Sequence, residues 1–110
     1  MNKQQIIELI KRIAIEYGID PDRAVQVAVK ESSLNPDCVH KNKDRRKTTD
    51  RGLYQINDFW HAEVPDKCCF DAECATRFFC KMAKAGRATE WYGAENIFWV
   101  YNEEKQKVLI

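Results

Sequence analysis

Apolar residues recur at helical spacing in three stretches of this chain and follow no regular spacing between them. From Gln4 to Tyr17, the residues Ile6, Ile7, Leu9, Ile10, Ile13, Ala14 and Tyr17 fall on one helical face, and Gly18 supplies a stop. Asp20-Pro21 opens a second helix as cap and first helical residue, because proline lacks only an amide that the first turn leaves unpaired. That helix runs through Val25, Val27, Ala28 and Val29 towards Ser32-Ser33, and Asn35-Pro36 ends it. The two are expected to form an antiparallel pair. Asp71 can cap a third helix with Glu73 in its first turn, a buried stripe of Cys74, Ala75, Phe78, Phe79, Met82 and Ala83, and Gly86 as its close.

Between these helices, Asp37 to Arg51 is polar and aperiodic, which predicts a long loop or a small hairpin. Apolar character returns with Gly52-Leu53-Tyr54-Gln55-Ile56-Asn57, and Asn57 is placed to cap a short helix containing Phe59 and Trp60. Val64-Pro65-Asp66 reads as a turn. The aromatic-rich end, with Trp91, Tyr92, Ile97, Phe98, Trp99 and Tyr101, is expected to be helical in part. The pattern predicts one mainly α domain over residues 1–110, α+β at most.

Composition sharpens this only in places. The 110 residues suffice for one domain with one modest core, and 45% hydrophobic against 32% charged residues argues against disorder. No apolar run approaches the roughly 20 residues of a membrane helix. The N-terminus leads straight into helix-like sequence without an apolar signal core, so the chain is either made in the cytoplasm or has lost its signal. A net charge of +1 removes the simple nucleic-acid or polybasic-membrane reading. The charge is uneven, however: Lys41 to Arg51 carries six basic residues against Asp44 and Asp50, a solvated loop or a binding surface.

Five cysteines, Cys38, Cys68, Cys69, Cys74 and Cys80, cannot all pair within one molecule. Their spacing does not suit zinc, which usually takes paired C-x₂₋₄-C ligands. Small buried apolar residues are the plainer role for Cys74 and Cys80, while Cys38 with Cys68 or Cys69, or Cys69 with Cys74, are conceivable disulfides. His61, beside Phe59 and Trp60, is expected to be structural.

The candidate chemistry starts at Glu31. Ala24, Val27, Ala28 and Glu31 share one helical face, so a carboxylate sits on the stripe that should meet the core, in the last turn, where the helix dipole also disfavours its charge. Desolvation there would raise its pKa, as a general acid requires; an exposed helix end or a structural ion pair is the alternative. Nineteen residues on, Asp50 precedes Gly52, which permits close backbone approach, and Gln55. One carboxylic acid, a second carboxylate and amides for sugar hydroxyls are what glycoside cleavage needs.

Glu31-Ser32-Ser33-Leu34-Asn35-Pro36 followed by Gly52-Leu53-Tyr54-Gln55-Ile56-Asn57 resembles the lysozyme-like lytic transglycosylase (SLT) domain, whose pattern is Glu-Ser-x-Φ-Asn-Pro and then Gly-Leu-Met-Gln-Ile. Thr49 to Asn57 is also similar to the Thr-Asp-Tyr-Gly-Ile-x-Gln-Ile-Asn segment of chicken-type lysozymes, and the likeness extends through Trp60-His61, Phe70 to Cys74 and Trp91-Tyr92. The resemblance implies a lysozyme-like fold. It also implies cleavage of the β-1,4 bond between N-acetylmuramic acid and N-acetylglucosamine in peptidoglycan.

Residue by residue, the resemblance makes Glu31 the acid, Gln55 a cleft residue, Ser32 a substrate contact or a tie for the helix end, and Gly52 the glycine of the second motif. Tyr54 stands where the family has methionine, a departure that offers a stacking face for a sugar and leaves the apolar role of the position intact. The family's late Ala-Tyr-Asn motif is poorly reproduced: Tyr101, in Trp99-Val100-Tyr101-Asn102, is the better literal match, and Tyr92 fits phage-type spacing. Either serves the site or packs in the core.

A lytic transglycosylase, the first expectation, works with Glu31 alone and closes an anhydro ring. A retaining hydrolase adds a second carboxylate about 5 Å away, for which Asp50 is the candidate; a turn residue paired with Arg46 or Arg51 is its other role. A non-catalytic wall-binding module is the alternative from another class, and Glu31 weighs against it. No cofactor or metal is implied. The expected partner is the glycan strand of peptidoglycan, with no nucleic acid and no membrane insertion, and a monomer suffices. Action at the bacterial cell wall or periplasm without a visible signal fits phage lysis, virion-associated delivery or a secretion-associated wall-remodelling factor, and the basic segment could steer an anionic wall polymer.

Overall fold

The computed structural model describes residues 1–88, 91, 99–101 and 107–109, the last two stretches through their backbone. Its elements run α1 (Lys3–Glu16), α2 (Pro21–Ser32), β1 (Val39–Lys41), β2 (Thr49–Arg51), β3 (Ile56–Asn57), α3 (Asp66–Cys69), α4 (Ala72–Lys84), β4 (Trp99–Tyr101) and β5 (Lys107–Leu109).

Each long helix begins at a side-chain cap. Asn2 and Gln5 exchange bonds in a capping box at α1. The buried Asp20 accepts from the amides of Asp22 and Arg23 at α2, and Asp71 accepts from Cys74 N at α4. The periodic apolar faces are the buried ones: Ile6, Leu9, Ile10, Ile13 and Ala14 of α1, Ala24, Val27 and Ala28 of α2, and Ala75, Phe79, Cys80 and Ala83 of α4. α1 packs on both α2 and α4, so these faces meet in one core.

β1, β2 and β3 form an antiparallel sheet in that order, with Val39 opposite Arg51, His40 opposite Asp50, and Asp50 opposite Asn57. The long polar stretch is thus a hairpin. Its strands are two or three residues long, and polar side chains hold it: Thr48 N and Oγ1 both bond Asp44, and Asn42 Nδ2 bonds Thr48 Oγ1. The Asp44 carboxyl is held below the usual range, chiefly by these two Thr48 bonds.

Two expectations are corrected. Asn57 Oδ1 accepts from the amides of Phe59 and Trp60, but they sit in turns, not a helix. The short helix lies later, at α3, and the disulfide joins Cys68 to Cys74, tying α3 to α4; Cys69 and Cys80 are buried free thiols and Cys38 is half-buried. Of the aromatic end, Trp99–Tyr101 is a strand paired antiparallel with Lys107–Leu109. Tyr92, Ile97 and Phe98 lie outside the described residues. No helix among the described residues is long and apolar enough to cross a membrane.

Candidate active site

Glu31 lies one residue before the end of α2, where the chain reverses through two consecutive left-handed residues, Ser33 at φ 55° and Leu34 at φ 64°. Ser32 is buried. Its Oγ lies 2.8 Å from Leu53 O and 3.2 Å from Ala28 O, and accepts from Asn35 N. The hydroxyl therefore fastens the helix end to the second motif, carrying Glu31 with it. Glu31 itself is half-buried, and its Oε2 is wholly buried, as its position on the core-facing stripe requires.

The second motif turns between β2 and β3. Gly52 has φ +79°, donates its amide to Cys38 O, and would place a Cβ 1.8 Å from Cys69 O. Only glycine fits there, because a side chain would collide with backbone. Gln55 is also left-handed, at φ 51°. Its Nε2 donates to Cys38 O at 3.1 Å and Gly52 O at 2.8 Å, which uses both amide hydrogens and leaves Oε1 as the polar group it can offer a ligand.

Asp50 sits at the centre of the sheet. Asn57 Nδ2 donates to its Oδ1 at 2.9 Å and Asn42 Nδ2 to its Oδ2 at 3.0 Å. Two neutral amides, one from each side of β2, thus orient a half-buried carboxylate without neutralising it. It makes no pair with Arg46 or Arg51. Arg51 is instead buried, with 6% exposure: its guanidinium donates to the carbonyls of Ile56, Val64 and His61 and to Asp66 at 2.9 Å. One of the six basic residues of the polar stretch therefore braces the loop after β3 rather than charging the surface.

Glu31, Asp50 and Gln55 line one cleft of about 550 Å³, together with Ile56, Asn57, Trp60, His61, Arg87 and Trp91. Trp91 is buried. Its Nε1 donates to Tyr54 O, and its ring meets Phe79 edge-on at 5.1 Å and lies parallel to His61 at 6.0 Å. His61 is buried and structural in this sense. Trp60 is 68% exposed and lines the cleft, where an aromatic ring can cover the apolar face of a sugar.

The sequence-derived residues thus divide. Glu31, Asp50 and Gln55 converge, but Ser32, Gly52 and Tyr54 do not line the cleft. Tyr54 as a sugar platform is corrected outright: it has no exposed surface, stacks on Phe79 at 4.4 Å and 6°, and donates its hydroxyl to Ala24 O. Burial raises its phenol well above the usual tyrosine range. Ser32 and Gly52 hold backbone in place instead of touching a ligand. Tyr92 lies outside the described residues, and Tyr101 is described only as a residue of β4.

Asn42, Trp60 and Arg87 had not been singled out as site residues. Asn42 carried a faint signal, an amide at the edge of a polar hairpin; Arg87, just beyond Gly86, carried none.

A helical domain with a small antiparallel sheet thus brings two carboxylates to one polar-aromatic cleft. The family model described as a lysozyme-like domain matches residues 11–92, and the chain belongs to that family. Neither the curated proteins nor the solved structures provide a match. The matched range holds both carboxylates and all the described residues that line the cleft.

Proposed function

We propose that this protein cleaves the β-1,4 bond between N-acetylmuramic acid and N-acetylglucosamine in peptidoglycan, as a muramidase with Glu31 as the acid. The observation that carries this is the meeting of Glu31 and Asp50 in one cleft, the first at a helix end with a buried oxygen and the second held by two amides. Contrasting environments for two carboxylates are the arrangement of a lysozyme-type site, in which one stays protonated and the other ionised.

In this mechanism Glu31 gives its proton to the glycosidic oxygen as the bond from the anomeric carbon to that oxygen breaks. The positive charge left on the anomeric carbon is stabilised by Asp50, or trapped as a bond from that carbon to an Asp50 oxygen. Glu31, now a carboxylate, takes a proton from water as the water oxygen bonds to that carbon and any bond to Asp50 breaks, which returns Asp50 as a carboxylate. Asn42 and Asn57 are positioning residues for Asp50. Ser32 and Gln55 position the two halves of the site, and Gln55 Oε1 can accept from a sugar hydroxyl.

The second reading is a lytic transglycosylase, favoured by the Glu31-Ser32 and Gly52-to-Ile56 motif pair. There the muramic acid 6-hydroxyl attacks the anomeric carbon in place of water, Glu31 takes its proton, and Asp50 serves the sheet alone. Digestion of purified peptidoglycan by the wild-type chain and by Asp50→Asn, followed by mass spectrometry, separates the two. Reducing-end muropeptides that vanish with Asp50→Asn support hydrolysis, anhydromuropeptides that persist support the transglycosylase, and absence of both product types refutes the proposal.

A further inference from the structure

Arg46 lies in the loop between β1 and β2, and its guanidinium carbon sits 4.4 Å from the ring centre of Phe59 and 5.8 Å from that of Trp60. The two rings are themselves perpendicular at 4.9 Å, and both are exposed. This cluster is continuous with the cleft through Trp60, which lines it beside Asn57 and Asp50. Stacking engages the face of a guanidinium and leaves its edge of N–H donors available, where they match a carboxylate in bidentate geometry. Among the described residues Arg46 has no salt bridge and donates no hydrogen bond. Its acidic neighbour, Asp44, already accepts from Thr48 N and Oγ1 with its two oxygens. The loop is also held in shape, through Asn42 N to Thr48 O and Lys47 N to Asp44 O.

A cation that is stacked, exposed, without a salt bridge and carried on an ordered loop is prepared for an anionic ligand. We infer that Arg46, braced on Phe59 and Trp60, forms an anion subsite at the rim of the cleft that takes a carboxylate borne by the muramic acid residue of the bound glycan. The subsite rests on the muramidase reading, because it is the glycan lying in the cleft that brings its carboxylate to Arg46. Two carboxylates share this chemistry: that of the lactyl ether in strands stripped of peptide, and those of the stem peptide in intact strands. The subsite is a specificity device. It distinguishes muramic-acid-containing glycans from neutral polymers of N-acetylglucosamine, which the carboxylates at the centre of the cleft cannot do.

The test uses the full chain carrying Glu31→Gln, so that binding is read without turnover. Titrations are made with three probes: soluble uncrosslinked peptidoglycan strands, the same strands stripped of peptides, and neutral N-acetylglucosamine oligomers. Adding Arg46→Ala should weaken binding of a carboxylate-bearing probe about tenfold, the scale of one charge-assisted bidentate contact, with the difference shrinking at high salt. Loss confined to stripped strands assigns the lactyl carboxylate, and loss confined to intact strands assigns the stem. Arg46→Lys, which keeps the charge but not the fork, should recover only part of it. Lys67→Ala, which removes one exposed positive charge on α3 away from the cleft, should leave all three affinities unchanged. Equal binding with and without Arg46, or an equal loss for neutral and anionic probes, overturns the subsite while leaving the muramidase reading intact. No binding of any strand by the Glu31→Gln chain, with no cleavage by the wild type, overturns that reading itself.

Discussion

Ser32 Oγ stands 2.8 Å from Leu53 O, a buried bond across twenty-one residues of sequence that joins the helix end bearing Glu31 to the turn bearing Gln55. The serine that follows Glu31 is thus a tie between the halves of the candidate site. Ser32→Ala leaves a buried carbonyl without its donor, and should cost about 1–3 kcal/mol of stability. Denaturant unfolding checks this. An unchanged midpoint would show that the tie is replaced by other contacts.

Gly52 gives the sharpest steric prediction. A Cβ there meets Cys69 O at 1.8 Å, and φ +79° disfavours any side chain. Gly52→Ala should destabilise the fold by about 3 kcal/mol or more, since neither strand turn nor α3 can yield without breaking the Arg51 brace. A soluble variant with wild-type thermal stability would contradict this packing.

The thiols make a pH prediction. Burial pushes Cys80 up to about 12 and raises Cys69 for the same reason. At pH 8 a thiol reagent should label the half-buried Cys38 quickly and Cys69 and Cys80 only as the protein opens. Because folding raises the Cys80 value from 9.0, its contribution is fully present below pH 9 and is lost as pH rises through about 12. Alkaline unfolding should therefore shift less in Cys80→Ala than in the wild type, and an identical alkaline slope would argue against it.

The Cys68–Cys74 disulfide closes a short loop between α3 and α4. Reduction should remove about 2 kcal/mol, the chain-entropy value for a loop of that length, and lower Tm by several degrees with the helices kept. Circular dichroism melts with and without reductant measure it.

The long helices were legible in the sequence because caps and apolar stripes agree: Asp20-Pro21 and Asp71 start where expected, and most of the predicted α1 face is buried, whereas in α4 Ala75, Phe79 and Ala83 are buried but Cys74, Phe78 and Met82 only half-buried, the buried stripe being shifted towards Thr76 and Cys80. The sheet was not. Its strands are too short for alternation, and what holds them is the Asp44–Thr48 and Asn42–Asp50–Asn57 bonding, which no period records. Tyr54 and Arg51 show the same gap from the other side. A sugar-stacking ring and a cation of a solvated or binding segment are the expectations there, yet each side chain is buried because carbonyls within the fold accept from it. Glu31 was legible for a simple reason: a carboxylate on an apolar stripe is visible in one line of sequence.

The most direct measurement compares the wild type with Glu31→Gln on purified peptidoglycan, reading glycosidic-bond cleavage by mass spectrometry. Muropeptides should be released by the wild type, at a rate lower by at least about a thousandfold in the variant, the loss expected when the proposed proton donor at the leaving oxygen is removed. Glycosidic cleavage by Glu31→Gln at the wild-type rate would contradict this assignment.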